Sequence, residues 1–453
     1  MEINPYIFRA YDIRGIYKND IDADLFKRIG FVLGKKKEKF LVGNDIRKSG
    51  KVLAKALIEG LIVAGAKVIY SGTTSFGETL FAGWKSKIDK TLFVTASHLP
   101  SEWNGLKIYY GDGEPFSEEE LKKLRDEVIK IRESEIKKSR GKFKEINIEK
   151  EYLNFFLKRF NDIKNSKLKI VIDCGNGSTS IVAPKIFKKM GFQVVELYCQ
   201  PDSNFPNRNS EPKKDNVADL IKKVKKGKAD FGVAFDGDGD RGAIVDDKGR
   251  YLSGNQIGII LGKHIISLSN KKTVIKTIAC SMAVEEELKP LGAKIIEVPV
   301  GHTHIISGSK KYNASLGMEE TSHIVIPEYF LFDDALLIPL KIAEIILEER
   351  KPLSELVSQI KIYPYEEIVF DCPDEKKFEM MKELIIDFKK EYGKKIVNTL
   401  DGIKLSFPYG WILIRASNTS PKIRLYVEAK TKEKFNLLKQ KFSKILKEKI
   451  CKQ

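Results

Sequence analysis

Apolar and polar positions repeat in the same order three times before residue 300. Each copy has a continuous apolar run, a stretch with helical periodicity, a glycine and a second apolar run. The copies are Phe40–Asp45, Val52–Ala64 and Gly65–Tyr70; Lys169–Asp173, Ile181–Met190 and Gly191–Glu196; and Thr273–Lys276, Met282–Leu291 and Gly292–Glu297. The glycine predicts a left-handed residue that ends each helix. Apolar strands that alternate with helices predict a mostly parallel sheet with helices on both faces.

Each copy is followed by one more apolar strand that leads into a polar loop. The strands are Leu92–Val94, Phe231–Phe235 and Ala314–Gly317. We name the loops after them the serine loop (residues 95–100), the aspartate loop (236–241) and the histidine loop (318–323). Ligand sites in open α/β sheets lie beyond the carboxyl ends of the strands. The repeat therefore predicts that the three loops face one shared cleft.

The pattern changes after residue 362. The tail predicts strands at Glu366–Phe370, Ile403–Ser406, Trp411–Arg415 and Ile423–Glu428, and helices at Lys376–Tyr392 and Lys432–Lys449. The predicted fold is α/β: three similar α/β domains with mixed, mostly parallel sheets, plus a C-terminal α+β domain, around a central cleft. Charged connections set the predicted domain limits at residues 1–146, 147–248, 249–362 and 363–453.

Composition and charge patterning exclude several classes of partner. The 453-residue chain has a formal net charge of +18, which on its own is typical of nucleic-acid-binding proteins. Its lysines, however, alternate with glutamates along helical stretches, a pattern typical of solvated helix faces. No apolar run has the length of a membrane span, and the first residues lack the order of a signal peptide. We expect neither a nucleic-acid partner nor a membrane partner. The sequence does not distinguish a monomer from a homo-oligomer.

Cysteine usage predicts the redox compartment. The five cysteines are scattered, and none is in Cys-x-x-Cys spacing: Cys174, Cys199, Cys280, Cys372 and Cys451. This distribution is typical of free thiols in a reducing cytoplasm. We therefore expect a cytoplasmic protein without a structural zinc site.

The serine loop, Thr95–Pro100, reads TASHLP. Ser97 follows a strand and precedes His98, which makes it a candidate nucleophile or phosphate carrier. A serine hydroxyl is inert at its ordinary pKa and needs a base, a metal ion or a charge cluster to react. On its own a Ser-His pair is more often a solvated loop, so the prediction depends on the charges that the other loops supply.

The aspartate loop places Asp236, Asp238 and Asp240 at alternate positions with glycines between them. The glycines let the backbone curl, so that the three carboxylates can converge on one hard cation. An EF-hand is disfavoured because its sixth loop position must be glycine and is Arg241 here, and because strands flank the loop. A magnesium site is favoured over a solvated acidic turn, and Arg241 is placed to meet a phosphate.

Three further segments carry weaker signals. Glu319, Thr321 and His323 in the histidine loop offer acceptors and donors suited to sugar hydroxyls, and His302 follows another strand in a similar way. The segment Arg415–Pro421, named the arginine loop, offers a guanidinium, hydroxyls and backbone amides that can cradle an anion. Each segment taken alone also fits an ordinary polar loop or hairpin.

Together these motifs resemble those of the α-D-phosphohexomutases, most closely the phosphomannomutase/phosphoglucomutase group. Phe8–Gly15, FRAYDIRG, is similar to the family's opening motif. The serine loop resembles its phosphoserine loop TASHNP, with Leu99 in place of Asn, and the aspartate loop is identical to its metal loop DGDGDR. The histidine and arginine loops resemble its sugar-recognition and phosphate loops. The motifs occur in the family's order, so the resemblance spans the chain.

This resemblance implies a reversible isomerase that interconverts hexose 1-phosphate and hexose 6-phosphate, of mannose and/or glucose. The implied route passes through a phosphoserine enzyme and a hexose 1,6-bisphosphate intermediate, which also serves as activator. One Mg²⁺ per chain would be held by Ser97, Asp236, Asp238 and Asp240. The implied partners are small-molecule sugar phosphates.

The family's other functional residues carry over to matching positions of this chain. The implied catalytic residues are Ser97, His98, Lys107, Arg241 and His323, among which Lys107 and His323 are the candidates for proton transfer. The implied substrate-binding residues are Tyr11, Arg14, His302, Glu319, Thr321, Arg415, Ser417, Asn418 and Thr419.

Two of these loops bear on which hexose phosphate is the substrate. The histidine loop has Met318, Thr321 and Ser322 where the family commonly has Gly, Ser and Gly, which bears on the hexose preference. The arginine loop is more similar to the phosphomannomutase/phosphoglucomutase form than to the phosphoglucosamine mutase form, which favours mannose and glucose phosphates. The alternatives are a phosphoglucosamine mutase acting on glucosamine 6-phosphate, a serine-dependent sugar phosphatase and a non-catalytic sugar-phosphate sensor.

Overall fold

Four β-sheets, formed one after another along the chain, organise the molecule. The computed structural model describes residues 3–132, 135–136, 141–393, 397–417 and 421–451. Three mixed α/β sheets are followed by one antiparallel sheet. This confirms the predicted fold class of three α/β units and a C-terminal α+β unit.

The first sheet has helices on both faces. Its strands are β1 Ile13–Ile16, β2 Lys39–Asn44, β3 Lys67–Thr73, β4 Lys90–Val94, β5 Trp103–Tyr110 and β6 Lys142–Glu145, in the spatial order β1-β5-β4-β2-β3-β6. Its helices are α1 Ala23–Gly34, α2 Gly50–Val63, α3 Phe76–Lys85 and α4 Glu118–Lys130. Phe40 and Val42 of β2 pack with α1 and α2, whereas Leu41 between them packs on the opposite face with α3. Because side chains alternate along a strand, the apolar residues of β2 serve both faces of the sheet.

The second and third sheets each have three parallel strands and are antiparallel at one edge only. The second comprises β7 Lys169–Asp173, β8 Gln193–Leu197, β9 Phe231–Phe235, β10 Gly242–Asp246 and β11 Tyr251–Leu252, with α5 Glu149–Arg159, α6 Ala183–Lys189 and α7 Ala218–Gly227. The third comprises β12 Thr273–Thr277, β13 Lys294–Val298, β14 Leu316–Met318 and β15 Ile324–Val325, with α8 Gly254–Leu268, α9 Ala283–Leu288, α10 His302–Lys311, α11 Leu337–Glu349 and α12 Leu353–Ser358. Strand β11 joins the second sheet although it lies beyond residue 248, the predicted limit of that unit.

The C-terminal unit is an antiparallel sheet covered by two long helices. Its elements are β16 Tyr365–Asp371, α13 Asp374–Tyr392, β17 Val397–Asn398, β18 Ile403–Phe407, β19 Gly410–Ala416, β20 Lys422–Ala429 and α14 Lys432–Cys451. Its strands follow the order β16-β20-β19-β18-β17. This unit has an apolar core of its own, whereas the second and third units share one continuous core with α3 of the first.

The predicted repeat is present, with differences in two of its helices. In the second copy, the helix expected near Ile181–Met190 is α6, which begins at Ala183 after a 3₁₀ turn over Ser178–Ile181. Gly65, Gly191 and Gly292 end the helix of each copy with φ angles of +95°, +90° and +86°. The third copy was expected to have one helix over Met282–Leu291, but α9 ends at Leu288 and a 3₁₀ turn continues over Lys289–Leu291. Pro290 accounts for the change because it has no N–H to donate within an α-helix.

The four units meet at the carboxyl ends of their central strands. Strand β4 leads into the serine loop, β9 into the aspartate loop and β14 into the histidine loop, while the arginine loop joins β19 to β20. Residues of all four units line one cleft. Among the described residues, no helix is both long and apolar enough to cross a membrane.

Candidate active site

A cleft of about 210 Å³ lies where the four units meet. Twelve of the predicted site residues line it: Tyr11, Arg14, Ser97, His98, Asp240, Arg241, His302, Glu319, Thr321, His323, Arg415 and Ser417. Lys107, Asp236 and Asp238 are buried and contact residues of the cleft or the serine loop. The predicted Asn418 and Thr419 lie outside the described residues. The structure therefore brings loops from distant parts of the sequence to one place.

Ser97 is held against the aspartate loop. Its Oγ donates a hydrogen bond to Asp236 Oδ2 at 3.1 Å and lies 3.4 Å from Nδ1 of His98. The backbone of Ser97 is left-handed, with a φ of +51°, a conformation that costs a residue with a side chain roughly 1–2 kcal/mol. Such strain persists where surrounding contacts determine the conformation, and it is often found at functional sites.

The aspartate loop curls around the carboxylate of Asp236. Asp236 Oδ1 accepts the backbone N–H groups of Gly239, Asp240 and Arg241 at 2.9, 3.1 and 3.2 Å. A Cβ atom on Gly237 would lie 2.5 Å from the carbonyl oxygen of Ser97. Only glycine at this position allows the aspartate loop to approach the serine loop so closely.

The three aspartates fit a hard divalent cation. One oxygen of each of Asp236, Asp238 and Asp240 lies within 4.8 Å of the others, and all three residues are buried. Oδ1 of Asp238 and Oδ1 of Asp240 are buried without a hydrogen-bond partner in the described part of the chain. Burial, with Asp240 and Asp238 nearby, raises the pKa of Asp236 well above its usual range. Oxygen ligands that repel one another in this way are stabilised by a cation between them.

Lys107 on β5 partly offsets this charge. Its Nζ donates to Asp238 Oδ2 at 3.0 Å and also to Asp240 Oδ2. Burial opposes the charged form, but the two carboxylates raise the pKa of Lys107 well above its ordinary value. Burial likewise opposes ionisation of Asp240, yet Lys107 holds the pKa of that carboxyl well below its usual range. At neutral pH Lys107 is therefore a fixed cation beside the aspartate loop.

Two neutral histidines form another wall of the cleft. The rings of His302 and His323 stack with centroids 5.1 Å apart, and Nδ1 of His323 is hydrogen-bonded to Asp333 Oδ2. Burial lowers the pKa of each histidine to about 3. Nε2 of His302 is buried without a hydrogen-bond partner in the described structure. Neutral imidazoles of this kind can accept a hydrogen bond or a proton from a ligand.

Three arginines of the cleft are each anchored through Nε by a carboxylate. Nε of Arg14 donates to Asp12 at 2.7 Å and Nε of Arg415 donates to Asp401 at 2.8 Å. Nε of Arg241 lies 3.3 Å from Asp236 Oδ2, and its Nη2 is buried without a partner among the described residues. An arginine fixed in this way can use its terminal nitrogens for a phosphate group.

The remaining predicted residues line the same cleft with different exposure. Glu319 is buried, and burial together with Glu320 raises its pKa well above the usual range. Thr321 is exposed at the edge of the cleft. Ser417 is buried, and its carbonyl oxygen accepts a hydrogen bond from Lys377 Nζ at 2.6 Å.

Several residues that support the site were not predicted from the sequence. Asp333 contacts His323, Asp401 contacts Arg415, and Glu211 lies 3.4 Å from Arg241 Nη1. None of these acids belongs to the loop of its partner. Only Asp333 had a local signal in the sequence, since the Asp333-Asp334 pair follows closely after the histidine loop. Asp401 lies 14 positions from Arg415 and Glu211 lies 30 positions from Arg241, and no spacing rule predicts a contact over such distances in irregular segments.

All four units of the structure match domains of one known protein family. Family models of phosphoglucomutase/phosphomannomutase match all four units: alpha/beta/alpha domain I at residues 5–135, domain II at 150–249, domain III at 253–363 and the C-terminal domain at 367–445. These matches follow one another in the order expected from the motifs.

Individual relatives are similar along nearly their whole length. A probable phosphoglucosamine mutase of Methanosarcina acetivorans is 32% identical over 447 residues, covering 98% of this chain and 99% of that protein. The phosphomannomutase/phosphoglucomutase of Pseudomonas aeruginosa is 32% identical over 453 residues, covering 97% and 95%. The crystal structure of a phosphoglucomutase/phosphomannomutase family protein from Burkholderia thailandensis has a TM-score of 0.88 at 27% identity and covers 99% and 98%. The chain therefore belongs to the phosphoglucomutase/phosphomannomutase family and is an isomerase of the phosphohexomutase type.

Proposed function

We propose that this phosphohexomutase interconverts the 1-phosphate and 6-phosphate of mannose and/or glucose through a phosphoserine at Ser97 and a hexose 1,6-bisphosphate. The observation that carries the proposal is the contact of 3.1 Å between Ser97 Oγ and Asp236 Oδ2 beside a cleft lined by all four units. A serine in this position can exchange a phosphoryl group with a sugar while the cleft holds the other end of the sugar.

In the proposed first half-reaction, the 6-hydroxyl oxygen of a hexose 1-phosphate attacks the phosphorus on Ser97 Oγ. The bond from phosphorus to O6 forms as the bond to Oγ breaks; the hydroxyl proton passes to His323 Nε2, and Oγ takes up a proton from Lys107 Nζ. After the bisphosphate turns in the cleft, Oγ attacks its 1-phosphorus, the bond from phosphorus to O1 breaks, and the two protons move back, so that hexose 6-phosphate leaves. Arg415 grips the phosphate that is not being transferred, in either orientation. Mg²⁺ held by Ser97 and the three aspartates would neutralise charge on the transferring oxygens.

The two proposed proton-transfer residues differ in charge. His323 has a pKa of about 3, so it is neutral at neutral pH; if its Nδ1 hydrogen is donated to Asp333, its Nε2 can accept the hydroxyl proton. The raised pKa of Lys107 keeps its side chain a cation at neutral pH. In the proposed reaction this cation stabilises the transferring phosphoryl group and donates a proton to the leaving oxygen. We therefore assign the base role to His323 and the cationic acid role to Lys107.

A phosphoglucosamine mutase is the second candidate. The relative from Methanosarcina acetivorans, a probable phosphoglucosamine mutase, is as similar to this chain as the Pseudomonas aeruginosa enzyme. The sequence of the arginine loop favours mannose and glucose phosphates over glucosamine phosphate. The relatives named above are mutases, so the serine-phosphatase alternative has no support from them.

A parallel assay of three substrates tests the proposal. The 1-phosphates of mannose, glucose and glucosamine are supplied separately with Mg²⁺ and a trace of the matching 1,6-bisphosphate. Both the 6-phosphate and inorganic phosphate are measured. We expect the highest kcat/KM for mannose or glucose 1-phosphate and almost no inorganic phosphate. The highest kcat/KM for the glucosamine compound would establish the second candidate, and stoichiometric inorganic phosphate would establish a phosphatase.

We also propose the domain limits near residues 146, 248 and 362 and a cytoplasmic location. The sheets change near each limit, although β11 extends the second unit to Leu252. Cys174, Cys199 and Cys280 are buried free thiols, which supports a reducing compartment.

A further inference from the structure

Arg47, just after β2, lies under the serine loop and is only 2% exposed. Its guanidinium donates hydrogen bonds to four backbone carbonyl oxygens of the loop and its continuation. Nη2 donates to Ser97 at 2.9 Å and to Leu99 at 2.6 Å, and Nη1 donates to Trp103 at 3.0 Å and to Pro100. One buried side chain therefore fixes the direction of four peptide groups around the reactive serine.

Asp45 anchors Arg47 and extends the same control to the other side of Ser97. Asp45 Oδ2 accepts Arg47 Nε at 3.0 Å and the Thr95 hydroxyl at 2.8 Å. Thr95 Oγ1 in turn accepts the backbone N–H of Ser97 at 2.9 Å. Both backbone polar groups of Ser97 are thus connected to one buried ion pair.

The conformation of Ser97 requires such support. Its left-handed backbone, with a φ of +51°, is disfavoured for serine. The carbonyl that Arg47 holds is also the one that Gly237 approaches, since a Cβ there would lie 2.5 Å from it. The ring of Phe205, from the second unit, covers the guanidinium at 5.3 Å from its centroid. A shift of Arg47 would therefore change the fit between the serine and aspartate loops.

We propose that Arg47 is a positioning residue for phosphoryl transfer: it holds Ser97 in the conformation in which Oγ faces the aspartate loop. This inference rests on the proposed function because it takes Ser97 as the carrier of the phosphoryl group. Arg47 is outside the cleft lining and touches no reacting atom; it acts through the backbone of the serine loop. A small displacement of Ser97 would slow transfer while sugar phosphates still bind, because binding depends on other loops.

The test compares Arg47→Lys with Arg250→Lys. Lysine keeps a positive charge for Asp45 but cannot direct four carbonyl oxygens at once. Arg250 is a matched control because it also pairs with an aspartate, Asp246, and donates to a backbone carbonyl, that of Ser354, away from the cleft. Phe205→Leu is a milder second variant, which removes the ring packed on the guanidinium and so loosens the hydrogen bonds of Arg47 to the serine loop. For each variant, kcat and KM are measured on the folded fraction, and phosphate on Ser97 is measured by peptide mass spectrometry after treatment with hexose 1,6-bisphosphate.

We expect kcat of Arg47→Lys to fall roughly a hundredfold with little change in KM, a smaller fall for Phe205→Leu and wild-type values for Arg250→Lys. If Arg47→Lys does not fold, the kcat of Phe205→Leu tests the inference in its place. A folded Arg47→Lys protein with lower thermal stability but wild-type kcat would overturn the inference, as would wild-type kcat in Phe205→Leu when Arg47→Lys fails to fold. Wild-type protein that carries its phosphate on a residue other than Ser97 would instead overturn the proposed function, so the two failures are distinguishable.

Discussion

At the residue scale, the site is a balance of buried charges. Three aspartates face two cations, Lys107 and Arg241, and two carboxylate oxygens remain without a hydrogen-bond partner in the described structure. Buried charges are costly unless they are paired. The excess negative charge indicates that the aspartate loop is built for a cation.

Removing one charge from this loop tests that interpretation. Asp238→Asn should lower turnover sharply and raise the Mg²⁺ concentration needed for half-maximal activity, because one anionic ligand is lost. Turnover is measured over a Mg²⁺ titration. The control is Asp219→Asn, an equivalent change at an exposed position of α7. Full activity of Asp238→Asn at limiting Mg²⁺ would show that the metal assignment is wrong.

At the element scale, the proposed phosphoryl transfer depends on how closely two loops from different sheets can approach. The serine loop follows β4 and the aspartate loop follows β9, and they touch at Ser97 and Gly237. Neither loop could hold this arrangement alone. The strands supply fixed ends, and the loops supply the reactive groups.

Gly237→Ala should separate these loops without unfolding the sheets. The new Cβ would lie 2.5 Å from the Ser97 carbonyl oxygen, so the backbone of one loop must move. We expect kcat to fall roughly a hundredfold, as for other small displacements of reacting groups, with thermal stability little changed. Gly227→Ala in α7 is the control, because its Cβ would meet only the end of Lys169, at 4.0 Å. Equal activity of the two variants would contradict the account.

Much of this element-scale organisation can be predicted from the sequence. The strands over Lys169–Asp173 and Phe231–Phe235 have the predicted bounds, because continuous apolar runs between polar turns leave little freedom. The helix that breaks at Pro290 was predicted too long, since apolar periodicity continued past the proline. The contacts of Arg47 and Asp401 could not be predicted, because they depend on how strands and loops distant in sequence pack.

At the scale of the whole molecule, the cleft exists only because four units are joined. The second and third units share a core with α3, whereas the C-terminal unit is attached partly through polar contacts. Glu428 of β20 accepts hydrogen bonds from two residues of the third unit, the backbone N–H of Met282 at 2.8 Å and the hydroxyl of Ser281. These contacts hold the C-terminal unit against the third unit, and Arg415 and Ser417 line the same cleft as Ser97.

A buried acid near the shared core makes stability depend on pH. Burial raises the pKa of Glu78 to about 7 from an ordinary value of 4.5, and nearby Glu149 and Asp334 add to the effect. Between those values the folded protein keeps a proton that the unfolded chain has lost. The free energy of unfolding should therefore fall by about 3 kcal/mol from this group as pH rises through that window, and then level off.

Glu78→Gln should remove this dependence, because glutamine resembles the protonated acid. We expect a higher unfolding temperature than wild type at pH 8 and a similar one at pH 5, measured by scanning calorimetry. Glu59→Gln changes a more exposed glutamate on α2 and serves as the control. A variant that is less stable than wild type at pH 8 would contradict the predicted ionisation.

The central claim is that Ser97 carries the phosphoryl group. The most direct measurement is peptide mass spectrometry of the wild-type protein and Ser97→Ala after treatment with hexose 1,6-bisphosphate, together with mutase turnover of both proteins. We predict one phosphate on Ser97 in the wild type, none in Ser97→Ala, and loss of nearly all turnover in the variant, which added bisphosphate does not restore. A phosphate mapped to another residue, or an alanine variant that interconverts the 1- and 6-phosphates at close to the wild-type rate, would contradict the claim.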